Sequence, residues 1–405
     1  MKNFPARVWA IACCAWLAAC GGGGGGGGGG PGGGASDGSG FRSGEDGGAA
    51  VDVTPGAAPL VSVSPENIAD GWQTSTPDLQ GFDGAALESA LQNLRANGSG
   101  GIDGVVVVRN DRLVAEAYYN GYARDTQHDM RSVTKSFTSA LTGIALSQNL
   151  FSIDDPISQH VNGFENFSHM DDRKRSIRIR NLLHMQTGLD CNDGVDTPGN
   201  ETNIYRHDDW IGYLLGVPMA AAPGEVTSYC SGGVIVLGNI LATRSGRKYE
   251  DFAATYLFTP LQFASVRMLH SPKGVTNAAS AIQLRPRDAA KLGSLYLNEG
   301  QWNGAQVLPR EWVVHSAESV TAINGSGYGY LWWKNPFRVR GEMQEGMFAS
   351  GNGGNFIFVL PRERLVVVIT ASNYNRNGPS FPFVRDTILA TLRYASPFSR
   401  ISSLK

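Results

Sequence analysis

The sequence predicts an α+β fold: an antiparallel sheet flanked by helices, with a mainly helical lobe inserted into the sheet domain. Three observations predict it. β-rich runs stand at 104–122 and again at 355–373. Residues 150–280, between those runs, carry helical patterns broken by Gly- and Asn-rich loops, with few sheet signals. Amphipathic helical segments flank the runs, so the order reads helix, hairpin, helical block, hairpin, helix.

In chain order, the first segment is an address and not fold. Lys2 and Arg7 form a short basic region ahead of an apolar stretch, Val8 to Leu17, which is too short to span a bilayer comfortably. It ends in Leu17-Ala18-Ala19-Cys20. That ending resembles a bacterial lipobox. The resemblance implies a lipoprotein signal peptide at 1–19, a lipid on Cys20 and membrane attachment in the bacterial cell envelope. Gly21, where an aspartate would mark inner-membrane retention, favours the outer membrane facing the periplasm. A plain secretory signal is the alternative. Gly21 to Gly30 are consecutive glycines, and Gly/Ser/Asp/Pro-rich sequence continues to about Pro59. Such composition buries too little apolar surface to offset its ordering entropy. Residues 20–60 are therefore expected to be a flexible tether, reaching roughly 35 Å.

Residues 61–405 form the globular part. The sheet domain is expected at about 70–145 and 275–400, and the helical lobe at about 146–275. In "FDGAALESALQNLRANG", Leu87, Ala90, Leu91 and Leu94 share one helical face, with Asp83 as N-cap and Asn97-Gly98 as stop. "GVVVVRNDRLVAEAYYNGY" reads as a hairpin about Asn110-Asp111. A helix follows, with Phe137, Leu141 and Ile144 on one face. "RPRDAAKLGSLYLNEG" is another amphipathic helix, stopped by Gly300. Strands at 355–361 and 364–373 are separated by Pro361-Arg362-Glu363, and a last helix lies near "FPFVRDTILATLRYA".

The chain has 405 residues, and its Lys+Arg total of 34 nearly balances an Asp+Glu total of 36. No basic pattern stands out, so nucleic-acid partners are excluded. No metal-ligand or cofactor motif is present in residues 61–405: there is no His-Glu-x-x-His, no Cys-x-x-Cys and no Gly-x-Ser-x-Gly there. No cofactor and no metal are expected. His184, in "LLHMQTGL", reads as structural. Of the five cysteines, Cys13 and Cys14 would leave with the signal and Cys20 would carry lipid. Cys191 and Cys230 remain for an oxidising compartment, and a disulfide between them is expected, two free thiols being the alternative.

Three stretches could carry chemistry. In "DMRSVTKSFTSALTGIAL", Ser132 and Lys135 are three apart at a helix start, so they share a face about 5–6 Å apart at Cβ. The helix dipole favours negative charge at the serine, and a lysine beside it can take its proton. A solvated helix start is the bland reading. In "TSYCSGGVIVLGNIL", Tyr229 and Ser231 sit in a turn before an apolar helix. A tyrosine there acts as a base only beside a cation such as Lys135; otherwise it is a loop tyrosine with a capping serine. In "FASGNGGNFIFVLP", a Gly-rich run enters a strand whose edge amides can bind an oxyanion; a hairpin bulge is the alternative.

Together, the order Ser-x-x-Lys, Tyr-x-Ser and Gly-rich strand edge resembles the penicillin-recognising serine hydrolases. The likeness is strongest to the class C β-lactamase-like branch, which includes family VIII carboxylesterases and 6-aminohexanoate-dimer hydrolases. "IRIRNLLHMQTGLD", "LRPRDAAKLGSLYLNEGQWNGAQVLPREWV" and "YGYLWW" extend it over roughly residues 70–400. The resemblance implies a β-lactamase/D,D-peptidase-like fold. It implies Ser132 as nucleophile, Lys135 assisting its deprotonation and Tyr229 as acid/base, with Ser231 lining the site. Where the family often has Lys-Thr-Gly or His-x-Gly, this chain has Ala349-Ser350-Gly351. Asn352 would then offer the second oxyanion N–H, beside that of Ser132. The missing cation removes the usual anchor for a substrate carboxylate and favours esters and uncharged amides over β-lactams. "GYGYLWW" offers aromatic walls for the pocket, or core packing.

Two functions follow. The first is a serine hydrolase that cleaves a small-molecule ester, amide or lactam through an acyl-enzyme. The second is a non-catalytic binding or scaffold protein on the same fold.

Overall fold

The computed structural model describes residues 61–393. The expected signal peptide, Cys20 and the glycine tether lie outside the described residues. Among the described residues, ten strands form one large sheet. They are β1 (Val61–Ser62), β2 (Gln73–Thr74), β3 (Ile102–Arg109), β4 (Arg112–Tyr118), β5 (Thr321–Ile323), β6 (Ser326–Gly329), β7 (Trp332–Val339), β8 (Glu342–Gly351), β9 (Asn355–Leu360) and β10 (Leu365–Ala371). The order across the sheet is β1-β4-β3-β10-β9-β8-β7-β6-β5, and β2 pairs with β4 in parallel. Every other pairing is antiparallel. The central pair β3–β10 joins the first hairpin to the last, with Val107 opposite Val367.

The hairpin turn is local chemistry. Asn110 and Asp111 both take left-handed φ, 50° and 62°, as a two-residue turn matching strand twist requires. The run Val105–Val108 shows no polar alternation because both sheet faces are covered. Val106, Val108, Val366 and Val368 face the side that carries the helical lobe. Val105, Val107, Val367 and Ile369 face the opposite side, against Leu87 and Leu91 of α1 (Gly84–Ala96) and Val384 and Ile388 near the C-terminus. Asp83 caps α1 by accepting the Ala86 N–H at 3.0 Å.

Three further helices position the site. These are α2 (Thr134–Ser147), α3 (Ser231–Ser245) and α4 (Pro286–Leu297). α4 lies across β3, β9 and β10. Gly293 permits that approach, since a Cβ there would come within 2.5 Å of Val366. Arg287 of α4 is buried and holds both carboxylate oxygens of Glu116 on β4, at 2.7 and 2.8 Å. α3 is apolar nearly all round because it is the buried axis of the helical lobe and packs on α2. Short helices at Asp172–Arg175, Ile179–Leu183, Glu201–Ile204, Trp210–Gly216 and Tyr249–Ala253 surround it.

Three details depart from the sequence reading. Ser132 is not in the first turn of α2. It sits in a separate 3-10 turn, Arg131–Val133, which leads into α2 at Thr134. The reading of two hairpins missed the meander β5–β8. Its signal was present: Asn324-Gly325 turns the chain with φ of 51° and 82°, and Arg340-Gly341 does so again. The last helix is broken into a short α-helix at Ser380–Pro382, a π-helical stretch at Phe383–Ile388 and a 3-10 turn at Leu389–Thr391.

Candidate active site

The Ser132 turn is fixed from several sides. The Met130 N–H donates to Ile282 O at 3.0 Å. The Arg131 N–H donates to Asp129 Oδ1 at 2.9 Å, and the Arg131 backbone takes a left-handed φ of 49°. Such a conformation is costly for a residue with a side chain and persists only where neighbours enforce it. Thr134 Oγ1 donates to Arg131 O at 2.5 Å and accepts the Ile282 N–H at 3.1 Å. The apolar face of α2, with Phe137, Leu141 and Ile144, then sinks into the core.

Lys135 is 1% exposed. Its Nζ donates to Ser132 Oγ at 2.9 Å, to Ser231 Oγ at 2.9 Å and to Ala279 O at 3.1 Å. An ammonium has three protons, and three acceptors surround this one. The bland reading of a solvated lysine is therefore excluded.

Tyr229 comes to the same place by its ring. Lys135 Nζ lies 4.8 Å from the ring centroid, a cation–π contact. Among the described residues, no hydrogen bond joins its phenol to Ser132 or Lys135. The ring is packed by Trp333 at 5.6 Å and Tyr328 at 6.2 Å. Of the "GYGYLWW" aromatics, the part-exposed Trp333 therefore flanks the site, while Tyr328 and Trp332 are fully buried core.

Ser231 is fully buried at the start of α3. Its N–H donates to Asp193 Oδ2 at 2.8 Å, and the Asp193 N–H donates to Tyr229 O at 2.8 Å. Cys191 and Cys230 are joined as a disulfide, with Cα atoms 5.5 Å apart. The Ser228 hydroxyl donates to Cys191 O at 2.6 Å. The loop at 191–193 is thus clamped to the 228–231 turn. Burial pushes the Asp193 carboxyl above the usual carboxylate range, against the pull of Lys135. Sequence reasoning missed Asp193, since one acid in a Gly- and Asn-rich loop carries no spacing signal.

The strand edge closes the site. A Cβ on Gly351 would meet Met130 O at 2.3 Å and Ser132 N at 3.2 Å, so β8 ends against the Ser132 turn. Asn352 is clasped to Asn375: its Nδ2 donates to Asn375 Oδ1 at 2.8 Å and its Oδ1 accepts the Asn375 N–H at 2.9 Å. Asn355 Nδ2 donates to Asn352 O at 2.9 Å, which fixes the peptide. Ser350 stands one residue earlier on β8, opposite Phe356, and half-exposed. Arg131 was also missed; its Nε lies 3.1 Å from Asp129 Oδ2 and its guanidinium sits 4.7 Å over the Tyr374 ring.

His184 lies elsewhere, stacked edge-on against Tyr330 at 5.1 Å. Burial, with help from Arg180 and Lys334, pushes its imidazole down to about 4. Among the described residues, no group of three or more His, Cys, Asp or Glu side chains could hold a metal ion.

A sheet with a helical lobe, and a Ser–Lys pair at their junction, is the architecture shared by β-lactamases and penicillin-binding proteins. The chain belongs to the beta-lactamase family, which matches residues 85–393. It is 24% identical over 296 residues to the 6-aminohexanoate-dimer hydrolase of Paenarthrobacter ureafaciens, covering 67% of this chain and 72% of that one. In fold it is similar to EstCE1, a hydrolase with promiscuous acyltransferase activity, with a TM-score of 0.61 at 17% identity, over 75% of this chain and 99% of that one. It is also similar to a class C beta lactamase from Rhodobacter sphaeroides, with a TM-score of 0.55 at 17% identity, over 72% and 95% of the two chains.

Proposed function

We propose that the protein is a serine hydrolase that cleaves an ester or amide through an acyl-enzyme on Ser132. The observation that carries this reading is the buried Lys135 Nζ, bonded to both Ser132 Oγ and Ser231 Oγ at 2.9 Å. In its neutral form Lys135 accepts the Ser132 proton as Oγ bonds to the substrate carbonyl carbon. The resulting oxyanion is held by the N–H groups of Ser132 and Asn352. The carbonyl re-forms as the leaving group departs with a proton delivered by Tyr229, and the Tyr229 phenolate regains a proton from the Lys135 ammonium. Water then attacks the ester on Ser132, releasing the acid and restoring the hydroxyl.

The substrate is an ester or an uncharged amide in preference to a β-lactam. Ala349-Ser350-Gly351 offers no cation to a substrate carboxylate, and Arg131 is engaged by Asp129 and Tyr374. The hydrolase relatives support the same class. A fluorophosphonate probe is expected to label wild type and not Ser132→Ala; equal labelling would contradict the assignment. A panel of p-nitrophenyl esters, nitrocefin and a D-Ala-D-Ala peptide then ranks substrate classes, and preferential turnover of nitrocefin would overturn the ester and amide preference.

We further propose attachment to the cell envelope through lipid on Cys20, with the tether spacing the enzyme from the membrane. Cys20→Ala is expected to move the protein from the membrane to the soluble fraction. Unchanged fractionation would contradict it.

A further inference from the structure

The acyl-enzyme reading uses Ser132, Lys135 and Tyr229 and leaves a half-buried carboxylate beside them unexplained. Hydrogen bonds run from Ser132 Oγ to Lys135 Nζ and on to Ser231 Oγ, each 2.9 Å long. Ser231 continues the line, since its own N–H rests on Asp193 Oδ2 at 2.8 Å. Asp193 Oδ1 accepts the Glu201 N–H at 2.9 Å, so each carboxylate oxygen has a backbone donor. The Cys191–Cys230 disulfide and the Asp193 N–H bond to Tyr229 O leave this loop little freedom to move.

Resting on that reading, we propose that Asp193 is a positioning residue for Lys135: by holding the Ser231 N–H, its carboxylate fixes Ser231 Oγ where it accepts from Lys135 Nζ, and so orients the lysine toward Ser132 Oγ.

The charges that face this pair are few. Lys135 comes from α2, Tyr229 from the turn before α3, and Glu201 from the short helix at Glu201–Ile204. Glu201 repels Asp193, but its own carboxylate is engaged by the Tyr205 and Ser280 hydroxyls. Lys135 is the cation that attracts Asp193. Without that carboxylate the Ser231 N–H loses its acceptor, the turn that carries Ser231 Oγ is freed, and Lys135 Nζ loses one of its three fixed acceptors. A purely structural role predicts something else: lower stability with an unmoved labelling rate in the protein that remains folded.

The test measures fluorophosphonate labelling, as a maximal rate and a half-saturating concentration, for wild type, Asp193→Ala and Asp193→Asn. Asp193→Ala is expected to lower the maximal rate about 10- to 100-fold in folded protein while leaving the half-saturating concentration nearly unchanged. Asp193→Asn, which keeps an oxygen acceptor for the Ser231 N–H, is expected to recover most of that loss. Equal maximal rates for wild type and folded Asp193→Ala would overturn the inference. Failure of both variants to fold, read from their melting temperatures, would assign Asp193 to the scaffold and overturn it as well. A wild type that takes no label would instead overturn the acyl-enzyme reading itself.

Discussion

Lys135 Nζ lies 2.9 Å from Ser132 Oγ although the two residues occupy different helical turns, Ser132 in a 3-10 turn and Lys135 in the first turn of α2. The tighter turn aims the serine at the lysine and leaves its N–H beside the end of β8. Burial of Lys135 then turns a common spacing into a candidate proton acceptor.

Lys135→Met is expected to keep the fold, because methionine fills a similar path through the core. It removes the proposed proton acceptor, and acylation is expected to fall about 10²- to 10⁴-fold. Labelling kinetics with a circular-dichroism control check this. Retention of wild-type rate would show that Lys135 is only a structural donor.

Gly351→Ala tests the approach of β8 to the Ser132 turn. The new methyl would sit 2.3 Å from Met130 O, so the Ser132 turn or the strand end must shift. A displacement of about 1 Å costs on the order of 10²-fold in rate, and overpacking costs about 1–3 kcal/mol of stability. Kinetics and thermal melting read the two effects. Unchanged rate would place the oxyanion donors elsewhere.

The disulfide clamps the turn that presents Tyr229 and Ser231. Cys191→Ser is expected to lower stability by about 2–4 kcal/mol. Activity is expected to fall under conditions where the variant is still folded, since the clamp on the 228–231 turn is lost. Denaturant melts and turnover, measured on the same samples, separate these outcomes.

His184 predicts a pH dependence of stability. Its imidazole is held near about 4 in the folded protein against 6.5 when unperturbed, chiefly by burial. Between those values the unfolded chain binds the extra proton. The contribution is therefore complete above about pH 6.5 and declines as pH falls toward 4, by up to roughly 3 kcal/mol. His184→Gln is expected to flatten that part of the stability curve. An unchanged slope would show that other groups dominate acid unfolding.

Much of the fold was legible because local chemistry and packing agreed. Asp83 caps α1, Asn110-Asp111 closes the first hairpin, and Pro361–Glu363 separates β9 from β10. The meander was harder: "KNPFRVRGEMQEG" mixes charge, proline and glycine, so β7 and β8 show little alternation even though Asn324-Gly325 marked a turn before them. At the site, Ser132, Lys135 and Ser231 were legible through spacing and order. Asp193, Arg131 and Tyr374 were not. Each joins the site through a loop whose placement depends on long-range contacts: the clasp of Asn352 on Asn375, the clamp of residues 191–193 on 228–231, and the strained backbone at Arg131.

The most direct test of the central claim is mass spectrometry of wild type quenched during turnover of a p-nitrophenyl ester. The account predicts an acyl adduct on the peptide containing Ser132, absent from Ser132→Ala. An adduct on a different residue, or turnover that survives in Ser132→Ala, would contradict it.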